Sequence, residues 1–293
     1  MISPPLYKQL RRIHLRGKRI SDALMAGHFR SVFRGHGVEF EEVGVYDEND
    51  DVKHIEWNVT ARMGRPFVKR YREEREQTVM LLVDTSASLG VGHVGHRKLE
   101  TAAETAALLA LCAQGNGDAV GAMLFSESVE MVLPAKKTQS AVWRIVREIV
   151  GVNRATGKTS LRTVLEEFGR MHKRRAIVFL ISDFADTGYM DALRPVAGRH
   201  DLVAVMVHDP LDFDLPEAGI VHAVDPETHE TVVWDCFDAA SRRRFHTAAI
   251  ADFEQRQAEL RAAGVDIVEC STDASPVDAL YRFFRLRERR LGR

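Results

Sequence analysis

Three short polar segments contain residue types suited to binding a hard cation. Asp84-Thr85-Ser86-Ala87-Ser88 follows the apolar run 78–83 (TVMLLV), and Ser182-Asp183-Phe184-Ala185-Asp186 follows the run 176–181 (AIVFLI). The third, Thr156-Gly157-Lys158-Thr159-Ser160, precedes a segment of helical spacing. Two carboxylates and several hydroxyls, with no His or Cys among them, make an all-oxygen donor set. Such a set suits Mg²⁺, Mn²⁺ or Ca²⁺ rather than zinc. Taken alone, DTSAS carries little, because Ser and Asp after a strand are ordinary turn and cap residues.

The elements that must position these loops are legible as two alternating textures. Runs 78–83, 119–125, 176–181, 202–207 and 265–269 are short, continuous and rich in branched residues, the pattern of strands buried on both faces. Between and after them, segments 98–113, 139–150, 161–172, 189–197, 238–263 and 276–290 have helical spacing, the last with Pro276 in its first turn and Asp273 or Ser275 as its cap. The alternation predicts an α/β fold, a doubly wound and mostly parallel sheet covered by helices on both faces. In such a sheet the loops at the carboxyl ends of the strands converge on one crevice, which gathers the polar segments. Segment 127–133 (ESVEMVL) follows its strand too closely for a crossover and is expected as an antiparallel edge strand. A second hairpin is expected at 220–234, around the turn DPETHE.

Residues 1–76 read differently. They are charged, punctuated by Gly27, Gly35, Gly37 and Gly44, and poor in apolar runs, so we expect an N-terminal arm packed on an α/β domain at 77–293. Short strands fit 38–57, and 58–76 leads into the first buried strand. Between residues 1 and 36 eight Lys/Arg face a single acid, Asp22, and 282–293 is also basic. This asymmetry suits an acidic partner surface; nucleic acid is the weaker reading, because interleaved aromatics and a recognised motif are missing. The net charge of −1 argues against a generally basic nucleic-acid binder. Cys112, Cys236 and Cys270 stand far apart without a CxxC pair, which favours a reducing compartment. Residues 1–19 lack the apolar region of a signal peptide and no run approaches the ~20 apolar residues of a membrane span, so a cytoplasmic protein is expected.

DxSxS, a Thr in a Gly-containing loop before a helix, and an Asp after a later strand together resemble the metal-ion-dependent adhesion site (MIDAS) of von Willebrand factor A (vWA) domains. The resemblance implies that Ser86 and Ser88 ligate the ion through their hydroxyls. Asp84 and Asp183 would act mainly through bound waters, and Thr159 directly or through water. A partner's carboxylate would fill the remaining position. Upstream, GVEFEEVGVYDENDDVKHIEWNVTARMGRPFVKRYREERE (37–76) is similar to the signature of a bacterial and archaeal family of unknown function that carries a vWA-like domain. That family is usually encoded beside MoxR-type AAA+ ATPases, which implies such an ATPase, or its client, as partner. Two departures stand out: Lys53 where Arg is usual, and Lys158 in place of a second Gly. An ammonium at 158 would oppose a bound cation.

Other readings of the same residues are weaker. Gly157-Lys158-Thr159 resembles the end of a phosphate-binding P-loop, but five residues, not four, separate Gly151 from Gly157, and a helix rather than a strand precedes. His93 and His96 (GVGHVGH) lack Cys or acidic company and read as a flexible loop. Asp186 reads as the cap of the helix starting near Tyr189, and Trp57 and Trp143 as core or arm-packing residues. The expectation is a metal-dependent interaction module rather than an enzyme. The alternative is a metal-dependent hydrolase or phosphatase in the same crevice. It needs a general acid or base, and none of the three loops contains a His. Ser86 lacks a G-x-S-x-G elbow, and His208 is the one imidazole considered from elsewhere.

Overall fold

The computed structural model describes residues 38–47, 50–73, 77–93, 96–152 and 155–291. The basic stretch 1–36 therefore lies outside the described residues. The chain divides into two compact units, the smaller being Phe33–Gln77.

In the smaller unit, β1 (Val38–Val45) pairs antiparallel with β2 (Phe67–Glu73). Short strands were expected within 38–57, and β2 lies beyond that range. Between the two strands lies α1 (Trp57–Met63). Its start is capped by the Glu56 carboxylate, which accepts from Asn58 N. Its end is set by Gly64, whose φ of 68° is the left-handed stop that favours glycine. Thr60 Oγ1 then accepts from Phe67 N at 2.9 Å, tying helix to strand. Trp57, read from sequence as a packing residue, is 69% exposed.

The larger unit is built on a six-stranded sheet in the order β10-β7-β6-β3-β4-β5. The strands are β3 (Thr78–Asp84), β4 (Ala119–Phe125), β5 (Val129–Lys136), β6 (Ile177–Ser182), β7 (Asp201–His208) and β10 (Asp266–Ser271). All neighbours run parallel except β5, which pairs antiparallel with β4 at the edge, as the short connection required. β8 (Ile220–Val224) and β9 (Thr231–Asp235) form the expected separate hairpin.

The continuous apolar runs are explained by cover on both faces. Met80, Leu82, Met123, Phe125, Val178, Leu180, Ala204 and Met206, every second residue of four strands, join one core with Leu161, Leu165 and Phe168 of α4 (Leu161–Met171) and Leu193 and Val196 of α5 (Met190–Arg199). The alternate residues Val79, Leu81, Val83, Phe179 and Val205 are equally buried, on the opposite face by the period of two. There α2 (Lys98–Gly115) lies across the sheet, in contact with α3 (Gln139–Val150) and α7 (Pro276–Leu291). Its Ala-rich sequence brings its backbone close to the strands, and most of its residues are buried. The remaining helix, α6 (Ala239–Ala262), is capped by Asp238, which accepts from Ala240 N and Ser241 N at 3.0 Å each.

Chain order leaves β3 toward β4 on one side and resumes at β6 on the other. The carboxyl ends of β3 and β6 therefore border the crevice where the winding reverses. The three cysteines are free and buried, and among the described residues no helix is long and apolar enough to cross a membrane.

Candidate metal centre

β3 ends in Asp84 and its neighbour β6 in Ser182, so Asp84 and Asp183 emerge side by side at the crevice floor. The chain after β3 turns at once. Asp84 Oδ1 accepts from Ser86 N at 2.8 Å, and Thr85 uses its amide (2.7 Å) and hydroxyl (2.8 Å) to bind Phe125 O of β4. The Thr159 loop is stitched to this turn by backbone bonds from Thr156 N to Thr85 O at 3.1 Å and from Ala87 N to Gly157 O at 3.0 Å, and to the end of β4 by Ser160 N to Ser126 O at 3.0 Å. Gly157 is required there, because its φ is 77° and a Cβ would stand 3.3 Å from Ser126 Oγ. Two loops more than 70 residues apart are thus held in register.

The result is one hydrogen-bonded network of Asp84, Ser86, Ser88 and Thr159, and the fifth residue singled out from the sequence, Asp183, follows directly on Ser182, which donates to Asp84. Thr159 Oγ1 lies 2.7 Å from Ser86 Oγ and 3.5 Å from Ser88 Oγ, and the two serine oxygens are 3.1 Å apart. Asp84 and Ser86 are fully buried. Asp84 Oδ2 accepts from Ser182 Oγ at 2.5 Å, while the Asp183 carboxylate accepts from Ala185 N at 3.2 Å. Phe184 follows with φ 55°, a left-handed conformation unusual for a bulky side chain, held by a fully buried ring beside Tyr189.

Two site residues were not found by sequence reasoning. The first is Lys98, at the start of α2. Its buried Nζ donates to Asp183 Oδ2 at 2.9 Å and reaches Asp212 Oδ1 at 3.5 Å. An ammonium was expected from Lys158; that residue is exposed, and Lys98 is the one that reaches a site carboxylate. A cation in the first turn of a helix runs against the helix dipole, and this anomaly was the available signal. The second is Glu227, from the turn between β8 and β9. Its carboxylate accepts from Thr159 Oγ1 at 2.6 Å and from Thr159 N at 3.2 Å.

Electrostatically the two aspartates differ. Burial and then the charge of Asp183 push the Asp84 carboxyl above the usual carboxylate range, against the neutral hydrogen bonds of Ser182 and Ser86. Burial would raise Asp183 too, but the ammonium of Lys98, with Ala185 N and Ser88, holds it low. Burial opposes the charge of Lys98, but Asp183 and Asp212 raise its pKa.

Among the described residues no three His, Cys, Asp or Glu side chains are grouped to hold a metal, so any cation here depends on hydroxyl donors. The observed chemistry fits a hard cation. The hydroxyl oxygens of Ser86, Ser88 and Thr159 and the Glu227 carboxylate lie within hydrogen-bond distance of one another, a set of hard oxygen donors. Beside it sits a buried carboxylate, Asp84, with only neutral partners.

Neighbouring residues revise two further expectations. Asp186 accepts from Leu161 N at 2.8 Å, at the start of α4, where Ser160 is the cap, rather than capping the helix after Tyr189. His93 is anchored, not in a free loop: its Nδ1 and backbone N lie 2.9 and 3.0 Å from Asp209 Oδ2, to which Thr272 also donates at 2.5 Å. His208 lines a cavity of about 790 Å³ with Lys98, Asp183, Phe213, Trp234 and Phe253, its ring edge-on to both phenylalanines.

Comparison with known proteins adds the following. Uncharacterized protein Rv1480 of Mycobacterium tuberculosis is 30% identical over 289 residues, covering 98% of this chain and 91% of that protein. Among solved structures, the conserved hypothetical protein BatB from Bacteroides thetaiotaomicron aligns at 14% identity and a TM-score of 0.44, covering 73% of this chain and 99% of BatB. The SpRpn10 VWA domain aligns at 9% identity and a TM-score of 0.40, covering 70% and 94%. A family model described as "Protein of unknown function DUF58" matches residues 42–255, which span β2, the DTSAS turn, the Thr159 loop and Asp183. With most of its length matched in this way, the chain belongs to the DUF58 family.

Proposed function

We propose that this chain is a non-enzymatic interaction module that recognises an acidic side chain of a protein partner through a divalent cation, Mg²⁺ foremost, held by Asp84, Ser86, Ser88, Thr159 and Asp183. The observation that carries the reading is the network of Asp84, Ser86, Ser88 and Thr159, with hydroxyl oxygens 2.7–3.5 Å apart, beside Asp183, the residue after the Ser182 that donates to Asp84. When bound, the cation supplies a positive centre whose last coordination position an incoming carboxylate completes. The chain's own residues do the rest. Backbone bonds between the 84–88 and 156–160 loops fix the three hydroxyls, and Ser182 orients the Asp84 carboxylate. Lys98 holds Asp183 in place and limits the net negative charge.

The resemblance of residues 37–76 to the family encoded beside MoxR-type AAA+ ATPases supports such an ATPase, or a client it remodels, as the partner. Metal-dependent hydrolysis in the same crevice is less well supported. Among the described residues no imidazole is hydrogen-bonded to Ser86, Ser88 or Thr159: His93 is committed to Asp209, and His208 sits between phenylalanine edges.

The test is capture of the candidate ATPase by the full chain with Mg²⁺, with excess EDTA, and with Mg²⁺ restored. The complex is expected to form, dissociate and re-form. A complex indifferent to EDTA and to Asp84→Ala would remove the metal crevice as the contact surface. Metal-dependent turnover of generic phosphatase or esterase substrates, lost in Asp84→Ala, would instead establish the enzyme.

A further inference from the structure

The hairpin β8–β9 pairs with no strand of the main sheet. A two-stranded ribbon is marginally stable in water, and this one exposes Ile220, Val224, Val232 and Val233. It is tethered at its base, where Trp234 meets Phe245 edge-on at 5.3 Å and Cys236 N donates to Gly219 O at 2.8 Å. At its tip, Asp225 Oδ1 accepts from Glu227 N at 2.8 Å and Thr228 N at 3.1 Å, which shapes the turn. That turn carries the Glu227 carboxylate to Thr159, where it is gripped by hydroxyl and amide together. The same Thr159 hydroxyl contacts Ser86. An acid arriving from outside at this hydroxyl set would meet Glu227 already there.

We infer that Glu227 is an internal ligand of the crevice: its carboxylate occupies the place of a partner's acid, and the hairpin tip must leave before a partner docks. The inference rests on the crevice being a cation site for a partner carboxylate. The tether gives Glu227 an effective concentration on the order of millimolar or above. A simple free acid therefore competes poorly, and a true partner must add contacts of its own. The hairpin is suited to yielding, since among the described residues its strands pair only with each other and its apolar side chains are largely in solvent.

The experiment uses the full chain and Mn²⁺ alone as probe, comparing wild type, Glu227→Ala and Glu227→Gln. Water-proton relaxation counts the exchangeable waters on bound Mn²⁺, and hydrogen exchange follows amides 225–230. In wild type the carboxylate excludes a water and Mn²⁺ protects the tip. Both variants should gain one water on bound Mn²⁺ and lose tip protection, with unchanged circular dichroism. Added acetate should displace that extra water in the variants and have no effect on wild type. Equal relaxivity and equal tip exchange in all three proteins, with Mn²⁺ bound, would overturn the internal ligand and leave the cation site standing. Absence of Mn²⁺ binding to wild type would instead remove the cation site, and the internal ligand with it.

Discussion

Asp84 and Asp183 end adjacent parallel strands, are both buried, and border the same crevice, yet their surroundings push them in opposite directions. Asp183 has a cation of the chain's own, Lys98, at 2.9 Å, and burial is overcome. Asp84 has only the Ser182 hydroxyl and the Ser86 amide and hydroxyl, and burial prevails. Neutral donors do not repay the desolvation of a carboxylate as an ammonium does. One half of the crevice is therefore neutralised internally, whereas Asp84, beside Ser86, Ser88 and Thr159, has no internal cation to favour its ionised form, and an outside cation would supply one.

The sharpest way to break this contrast is Asp84→Ala. It should remove Mn²⁺ or Mg²⁺ binding outright in calorimetry while far-UV circular dichroism stays unchanged. Equal affinity in variant and wild type would mean the Asp84 side is not where a cation goes.

Lys98→Met attacks the other side. Stranding Asp183 and Asp212 without their ammonium should cost about 3–5 kcal/mol, lowering Tm by roughly 6–15 °C. Divalent cation should restore more of that loss in the variant than it adds to wild type, because a second carboxylate becomes available to it. An unchanged Tm would show that Lys98 contributes nothing to the balance.

A third carboxylate, Asp209, supplies a control away from the hydroxyl set. Burial opposes its ionisation, but hydrogen bonds from Thr272, His93 and Leu211 N hold it down to about 2. Against about 3.9 in the unfolded chain, its contribution is fully present above about pH 4 and is lost as pH falls through about 2, amounting to about 2 kcal/mol. Asp209→Asn should lower stability at neutral pH by about that much and flatten the acid dependence between pH 4 and 2 in urea titrations. An acid limb identical to wild type would contradict it.

The smallest effect is expected for Thr159→Ala. It should weaken partner capture while leaving more metal affinity than Asp84→Ala does, because one hydroxyl among several oxygens is lost. Equal loss of metal in the two variants would make Thr159 as important to the cation as the carboxylate.

Much of the architecture was legible because its cause is local. A strand covered on both faces must be apolar throughout, and 78–83, 119–125 and 176–181 are. An edge strand one short turn from its neighbour must be antiparallel, as β5 is. DTSAS and Asp183 could be read because loops at strand ends have only one crevice to enter. The helix α1 and the strand β2 were missed because a seven-residue helix and a charged strand carry little periodicity.

The sequence by itself determined which residues offer oxygen donors, and that Asp84, Ser86, Ser88 and Asp183 follow strands of one parallel sheet. Residue type and apolar pattern act over a few positions, and those positions were in view. Only the tertiary structure decided what meets those donors. Lys98 reaches Asp183 from 85 residues away, Glu227 reaches Thr159 from 68, and Asp186 reaches the start of a helix that begins 25 residues before it. Glu227 and Asp186 are unremarkable among their sequence neighbours, and Lys98 stands out only as a cation in the first turn of its helix. Charge pairing depends on distance in space, and that distance was set only when β3, β6 and the β8–β9 hairpin took their places.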